Sequence, residues 1–371
     1  MGHLYAPPPK KQFRQEYPPL VSVIIPAHNE AVGIRKTIYS IIDSDYRNFE
    51  IIIIDDGSTD NTLEVANRVR ESFGEEIIVI KSKSNRGKAN ALNTGIIRAT
   101  GEIVITIDAD SYVKPNTISE LIKALNDPQY NVATGTIEVG NPKNLINFVQ
   151  YFEYIFGFHF KKTQFLNNSL YIFPGAITAF RKKSIIEVGL FEDYSVTEDF
   201  DVSLKLINAG NKVVHVDKAV CITEGASTFK GLVNQRTRWR HGYFQCMRER
   251  RKSLERSKLG FYLYFIEIPL GILGVVELLL FPFLLILLIS QIVIYSNPFV
   301  FLVNYLLLPI GCLLLISGKI KKDIKLLFII LFLPFIFSIA NAVEFISLLK
   351  ALFRFTFNKQ THWTKWNRVG I

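Results

Sequence analysis

Short apolar runs alternate with amphipathic stretches along the first third of the chain. "VSVIIP" (Val21 to Pro26) is apolar and closed by proline, and the following "NEAVGIRKTIYSII" sets apolar residues at helical spacing, which predicts a strand and then a helix. The unit recurs: "FEIIIIDD" reads as a buried strand, "NTLEVANRVRES" as a helix, "EEIIVI" as a strand, "GKANALNTGIIRA" as a helix and "EIVITIDAD" as a fourth strand. Alternation of this kind predicts an α/β fold with a parallel sheet and helices on both faces. Past Gly135 the pattern loosens. It still predicts a helix from Leu145 to about Lys162, a strand in "ITAFRK", a helix in "DVSLKLINAG" and one long basic helix from about Phe229 to Lys258.

From Phe261 the pattern changes to three long apolar blocks, Phe261 to Ser296, Pro298 to Ser317 and Leu326 to Leu349. A membrane crossing needs about 20 residues, so the second and third blocks each suit one. The first, as a helix about 50 Å long against a core of about 30 Å, either starts along the interface or breaks near Pro282. The basic loop "KIKKDIK" (Lys319 to Lys325) and the basic tail favour the cytosolic side. Three crossings would put the tail outside and four would keep it inside. The organisation expected is therefore a Pro-rich extended tail (1–19), a cytosolic α/β domain (20–257) ending in a basic interfacial helix, a membrane region (258–350) with three or four helices, and a basic tail (351–371). The protein is expected in the cell membrane as a multi-pass chain with its soluble domain in the cytosol.

Composition sharpens this picture at two points. The 371-residue chain is 49% hydrophobic and carries a formal net charge of +10, but its densest basic run, "RERRKSLERSK" (Arg248 to Lys258), directly precedes the apolar blocks. That placement favours anionic lipid headgroups over nucleic acid. Cys221, Cys246 and Cys312 are odd in number, with no CxxC pair, so neither a disulfide framework nor a zinc site is implied. The N-terminus has no apolar core of signal-peptide length and no myristoylation pattern.

The polar residues that carry candidate chemistry follow the strand ends, where open α/β sheets bind ligands. No GxGxxG follows a strand, which disfavours an ordinary dinucleotide fold. "DAD" places Asp108 and Asp110 two positions apart after "VITI", fit either to hold a hard divalent cation against a diphosphate or to cap a turn. "DDGSTDNT" (Asp55 to Thr62) has turn and N-cap chemistry and, beside the neighbouring strand ends, suits base or ribose recognition. "NRGKANALN" puts Lys88 in the first turn of a helix, at the positive end of its dipole. A nearby anion would account for it, and so would a solvated lysine. "QRTRW" aligns Gln235, Arg238 and Trp239 on one helix face, as a phosphate clamp with a stacking ring or as a basic helix lying on a membrane. "TEDFD" sets Glu198, Asp199 and Asp201 together, as a helix cap or as the site of a general base.

In this order, "PAHNE", "DDGSTD", "NRGKANALN", "DAD", "PGAITAFRK", "TEDFD" and "QRTRW" resemble the membrane-bound, inverting glycosyltransferase family 2, most of all its polysaccharide-synthase branch (cellulose, chitin, hyaluronan and poly-N-acetylglucosamine synthases). The resemblance covers about residues 20 to 245. It implies a GT-A fold, a UDP-sugar donor and Mg²⁺ or Mn²⁺. By matching position, Pro26, Glu30, Asp55, Asp56, Lys88 and Asp108 would contact the nucleotide, and Asp108 with Asp110 would hold metal and diphosphate. Gly175 and Ala176 would lie near the acceptor, Asp199 would be the base, and Gln235, Arg238 and Trp239 would close over diphosphate and acceptor, with Glu198 and Asp201 in support. "HWTKWNRVG" loosely resembles a tail of this branch through Trp363, Lys365 and Arg368. The function expected is addition of sugars to a growing β-linked polysaccharide. The alternatives are transfer of one sugar to a lipid acceptor, and an inactive sugar-nucleotide-binding membrane scaffold. Too few spans for a polymer channel imply a partner subunit, an oligomer or the non-processive lipid-directed enzyme. Glu267, Glu277 and Glu344 inside the apolar blocks would face an acceptor path or that partner, with interfacial snorkelling the alternative for Glu267.

Overall fold

The computed structural model describes residues 18–140, 143–166, 172–255, 257–263 and 333–357. The first elements form where the apolar pattern predicts: β1 (Val21–Ala27), α1 (Ile34–Ile42), β2 (Phe49–Asp55), α2 (Thr62–Phe73), β3 (Ile77–Lys81), α3 (Lys88–Arg98) and β4 (Ile103–Ile107). They are followed by β5 (Ser111–Val113), α4 (Thr117–Leu125), β6 (Val132–Val139), α5 (Leu145–Leu166), β7 (Ile177–Arg181), α6 (Lys182–Glu187), α7 (Glu198–Asn208) and β8 (Val213–Thr223). The helices α8 (Phe229–Glu249), α9 (Arg251–Leu254), α10 (Lys258–Tyr262) and α11 (Leu333–Thr356) complete the described elements.

The strands build one eight-stranded sheet in the order β3-β2-β1-β4-β7-β6-β8-β5. β1 lies parallel to β2, from Val21 opposite Phe49 to Ala27 opposite Asp55, and parallel to β4 on its other side. Successive side chains of a strand point to opposite faces, and here both faces are covered. Val23, Ile25, Ile51, Ile53 and Ile105 pack with Ile34 and Ile38 of α1 and Leu121 of α4. Ile24, Ile52, Ile54 and Val104 pack with Leu92 and Ile96 of α3, Ile185 of α6 and Val202 of α7. Burial of each such side chain contributes about 1.5–3 kcal/mol. The α3–β1 contact depends on Gly95, where a Cβ would come within 2.4 Å of Ile24 Cγ2.

The parallel sheet expected from the sequence holds for β1 to β4 and then gives way to a mixed one. β7 is antiparallel to both β4 and β6, β6 is parallel to β8, and β5 closes the edge antiparallel to β8. The connection through α5 returns the chain to the end of the sheet at which β6 left it, which makes β6 and β7 antiparallel neighbours. The β6–β8 register shifts beside Gly135: Gly135 lies opposite Val216 and Thr136 opposite Val220, so residues 217–219 bulge out of β8 and its alternation of faces breaks there. The single long basic helix is corrected to three. α8 stops at Glu249, Arg250 turns away, and α10 restarts behind Ser257, whose Oγ accepts from the Gly260 N–H at 2.9 Å.

Part of the third apolar block supplies α11, which lies against α8. Val343 packs with Ala226, Leu232 and Val233, and Ser347 Oγ donates to the Val233 carbonyl at 3.1 Å. Among the described residues no helix is long and apolar enough to cross a membrane. The N-terminal tail to residue 17, residues 264–332 with Glu267, Glu277 and Cys312, and the tail from residue 358 with Trp363, Lys365 and Arg368 lie outside the described residues.

Candidate active site

The chain leaves β1 toward β2 and β3 on one side and returns to β4 on the other, which makes the β1–β4 border a topological switch point. A cleft of about 790 Å³ opens there, lined on its β side by Pro26, Glu30, Asp56, Asp108 and Asp110 and on its helical side by Gln235, Arg238 and Trp239. Lys88, Gly175, Ala176, Glu198 and Asp199 line its floor.

Two loops shape the β1 end. Asn29 sits at a positive φ of 53°, a conformation that asparagine tolerates. From there its Oδ1 accepts from the Thr59 N–H at 2.7 Å, while its own N–H donates to Ser58 Oγ at 2.9 Å. The "PAHNE" and "DDGSTD" loops are thereby joined. The Asp56 carboxylate accepts from the backbone N–H groups of Arg86 (3.0 Å) and Gly87 (2.8 Å), which fixes the start of α3 and hence Lys88.

At the centre, Lys88 Nζ lies 2.6 Å from Asp108 Oδ1 and 3.1 Å from Glu198 Oε1. Two of the protein's own carboxylates are thus immediate neighbours of this helix-start lysine. Burial opposes the ammonium, but Asp108, Glu198 and Asp199 outweigh it and hold the lysine firmly charged. Burial likewise works against the Glu198 carboxylate, yet Lys88 and then Arg238 keep it below its ordinary range.

Asp199 differs. Its Oδ2 accepts from the Gly175 N–H at 3.1 Å and its Oδ1 from the Phe200 N–H at 2.9 Å. Burial and the neighbouring Glu198 charge push it up to about 6, against the pull of Lys88 and Arg238. Asp108 is raised too, by burial and then by Asp110 and Glu198 against Lys88. Asp108, Asp110, Glu198 and Asp199 thus gather beside Lys88 and Arg238, and in the cleft lining as a whole carboxylates outnumber lysines and arginines, so the surplus charge is negative.

That surplus, made of hard oxygen donors, fits a divalent cation. Among the described residues no group of three or more His, Cys, Asp or Glu is arranged to hold a metal unaided. A pair such as Asp108 and Asp110 fits a cation that completes its shell with phosphate oxygens and water.

Two residues singled out in the sequence lie outside the cleft lining. Asp55 ends β2 fully buried, and both of its carboxylate oxygens lack a hydrogen-bond partner among the described residues. Asp201, expected beside the acceptor, is fully buried behind α7, where Arg250 reaches it through Nε at 2.8 Å and Nη2 at 3.1 Å and Tyr194 donates to it. Helical geometry explains this: with Asp199 facing the cleft, a residue two positions on points away from it.

The helical wall contains residues that the spacing of "QRTRW" did not pick out. Arg236 is buried and paired with Glu153 of α5 at 2.8 Å, while Glu344 of α11 pairs with Arg240 at 2.9 Å. A glutamate inside the apolar "FVQYFEYIF" was the available signal for Glu153, because a charge on such a helix needs a partner.

The chain's resemblances agree with this geometry. Residues 22–189 match the family described as Glycosyl transferase family 2. The chain is 31% identical over 265 residues to the poly-β-1,6-N-acetyl-D-glucosamine synthase of Staphylococcus aureus (strain COL), covering 70% of this chain and 64% of that one. It is 30% identical over 251 residues to the protein of the same name from Staphylococcus epidermidis, covering 67% and 60%. The chain thus spans somewhat less than two-thirds of the length of these curated relatives. Among solved structures, the mannosyltransferase PcManGT from Pyrobaculum calidifontis, in complex with GDP-Man and Mn²⁺, superposes with a TM-score of 0.61 at 22% identity, covering 93% of this chain and 89% of that one. That likeness concerns the fold, a GT-A-like α/β domain. Residues 22–189 are thus a glycosyltransferase family 2 domain by the family match, and the chain that carries them is similar to the two poly-β-1,6-N-acetyl-D-glucosamine synthases.

Proposed function

We propose that the protein transfers a sugar from a UDP-sugar, with N-acetylglucosamine the first candidate from its relatives' names, to a growing β-linked glycan. The observation that carries this reading is Asp199: a carboxylate pushed up to about 6, held by the Gly175 N–H and facing the same cleft as Lys88, Asp108 and Arg238. A base poised near the working pH contributes typically about 10² to 10⁴ in rate. Asp199 takes the proton of an acceptor hydroxyl as that oxygen bonds to the anomeric carbon, and the bond to the diphosphate breaks on the opposite face. An α-linked donor then gives a β-linked product, and UDP leaves with the electron pair.

In this reading Pro26, Glu30 and Asp56 border the nucleotide, with Asp55 behind them, and Gly175 and Ala176 floor the acceptor side. Lys88 and Arg238 offset charge growing on the diphosphate, while Glu198 keeps Lys88 in place. Gln235 closes the cleft, and the Trp239 ring is a platform for the acceptor sugar. Asp108 and Asp110 are the residues that would hold Mg²⁺ or Mn²⁺. When bound, the cation would supply Lewis-acid stabilisation of the leaving diphosphate. Asp201 takes a different part from the one its motif implies, as an anchor between α7 and α8.

The domain assignment of 20–257 as catalytic unit and 258–350 as attachment to the membrane, with the catalytic domain on the cytosolic side, belongs to the same proposal. It is supported by the apolar composition of the second segment. The test is UDP release by purified protein over a panel of UDP-sugars, with products separated on a gel. A ladder or high polymer supports a synthase, a single mobility shift supports transfer to a lipid, and no release from any donor refutes the enzyme reading.

A further inference from the structure

Trp239 is 36% exposed and borders the cleft, yet one side of its ring is already taken. The Arg236 guanidinium carbon lies 4.1 Å from the ring centroid, within the range of a cation–π contact. Arg236 is itself met from two directions: its Nη2 donates to Glu153 Oε2 of α5 at 2.8 Å, and its Nε lies 3.5 Å from Glu344 Oε1 of α11, an ion pair without a hydrogen bond. The other oxygen of Glu344 binds Arg240 Nε at 2.9 Å, one turn along α8 from Arg236. Its carboxylate therefore bridges two arginines on the same helix. The Arg236 side chain is 6% exposed, against 25% for Glu153 and 31% for Glu344, so the guanidinium is the desolvated hub of this cluster.

From these contacts we infer that Arg236 is a positioning residue for the acceptor site: braced by Glu153 and Glu344, it fixes the Trp239 ring, so that the C-terminal helix α11 sets acceptor affinity. This rests on the reading of Trp239 as the acceptor platform. A flat ring with two side-chain torsions is restrained most by a flat group laid against it. The guanidinium provides that group, and the two carboxylates stop it from swinging away. Because Glu344 belongs to α11, a displacement of that helix along α8 is transmitted to Trp239 without touching Asp199, Lys88 or Asp108. The wall on the acceptor side then depends on α11, a helix far along the chain from α8.

The test uses the full chain and four proteins: wild type, Arg236→Met, Arg236→Lys and Glu344→Gln. With UDP-N-acetylglucosamine as donor and a short β-1,6-linked N-acetylglucosamine oligomer as acceptor, Arg236→Met is expected to raise the acceptor KM roughly tenfold while the donor KM stays within about twofold. Arg236→Lys keeps a charge but no flat group, and falls between. Glu344→Gln keeps one oxygen, so only one of the two arginines retains an acceptor while the other faces an amide NH2; it is expected to raise the acceptor KM by roughly threefold, a second variant if Arg236→Met does not fold. Independently of turnover, acrylamide quenching of Trp239 in a Trp363→Phe/Trp366→Phe background is expected to increase in Arg236→Met. An unchanged acceptor KM in the variants of an active enzyme, equal losses for donor and acceptor, or unchanged quenching would each overturn the inference. If wild type releases UDP from no donor, the proposed function falls and the quenching measurement alone decides the role of Arg236.

Discussion

The anchor between α7 and α8 is where the structure makes its most quantitative claim. Asp201 is fully buried, and its charge is met by two nitrogens of Arg250, at 2.8 and 3.1 Å, together with the Tyr194 hydroxyl. Replacing Arg250 with Met removes the cation and leaves a buried carboxylate uncompensated, a loss of about 3–5 kcal/mol for a buried pair. The Arg250 side chain keeps 25% of its surface exposed, so water offsets part of the loss and the lower end, about 3 kcal/mol, is expected. For a domain of this size that lowers Tm by about 6 to 12 °C. Thermal unfolding of the full chain, followed by intrinsic fluorescence, measures it. The double variant Asp201→Asn/Arg250→Met carries no buried charge and is expected to melt above Arg250→Met alone. A loss under about 1 kcal/mol, the value of a surface ion pair, or a double variant no better than the single one, would refute the reasoning.

Three further outcomes follow from the same geometry. A Cβ at Gly242 would lie 2.2 Å from Thr197 Oγ1 and 2.8 Å from Thr197 Cβ, and a β-branched side chain has little room to yield. Gly242→Ala is therefore expected to cost about 1–3 kcal/mol by overpacking, and a wild-type melting temperature would show that α8 does not approach Thr197 so closely. Since Asp199 is raised to about 6, its ionised, active form is present above that pH, and kcat/KM should fall along an acid limb near pH 6; a limb near 4 would contradict the environment described. The stability linkage has the opposite sense: the folded chain holds that proton more tightly than the unfolded one, so its contribution is complete below the ordinary carboxylate range and is lost as pH rises through about 6. Lys88 pulls the Asp199 value down, so Lys88→Met should move the acid limb upward, and a profile that stays in place would separate the two residues electrostatically.

Much of the site was legible because its residues follow strands whose apolar runs are unambiguous. "FEIIIIDD" and "EIVITIDAD" could hardly be anything but buried strands, and the carboxylates at their ends had to fall at the sheet's binding edge. β8 is hidden in the sequence because its bulge, with the exposed Asp217 and Lys218, breaks the alternation that reveals a strand; β5 is only three residues long, and β6 is buried on both faces over its first half and so does not alternate. Asp201 was misplaced for a different reason. Sequence proximity to Asp199 suggested a shared role, whereas α7 begins at Glu198 and turns the two carboxylates to different sides. Arg236 escaped notice because its partners, Glu153 and Glu344, are far away in sequence. Glu344 stands out in the sequence as a charge inside an apolar block; which arginines answer it and Glu153 depends on how α5, α8 and α11 pack.

The central claim is tested most directly by UDP release and glycan formation from UDP-N-acetylglucosamine, comparing wild-type protein with Asp199→Asn. Transfer is expected to fall by about 10² to 10⁴ while UDP affinity, measured by calorimetry, is retained. Turnover near the wild-type rate in Asp199→Asn would contradict the account.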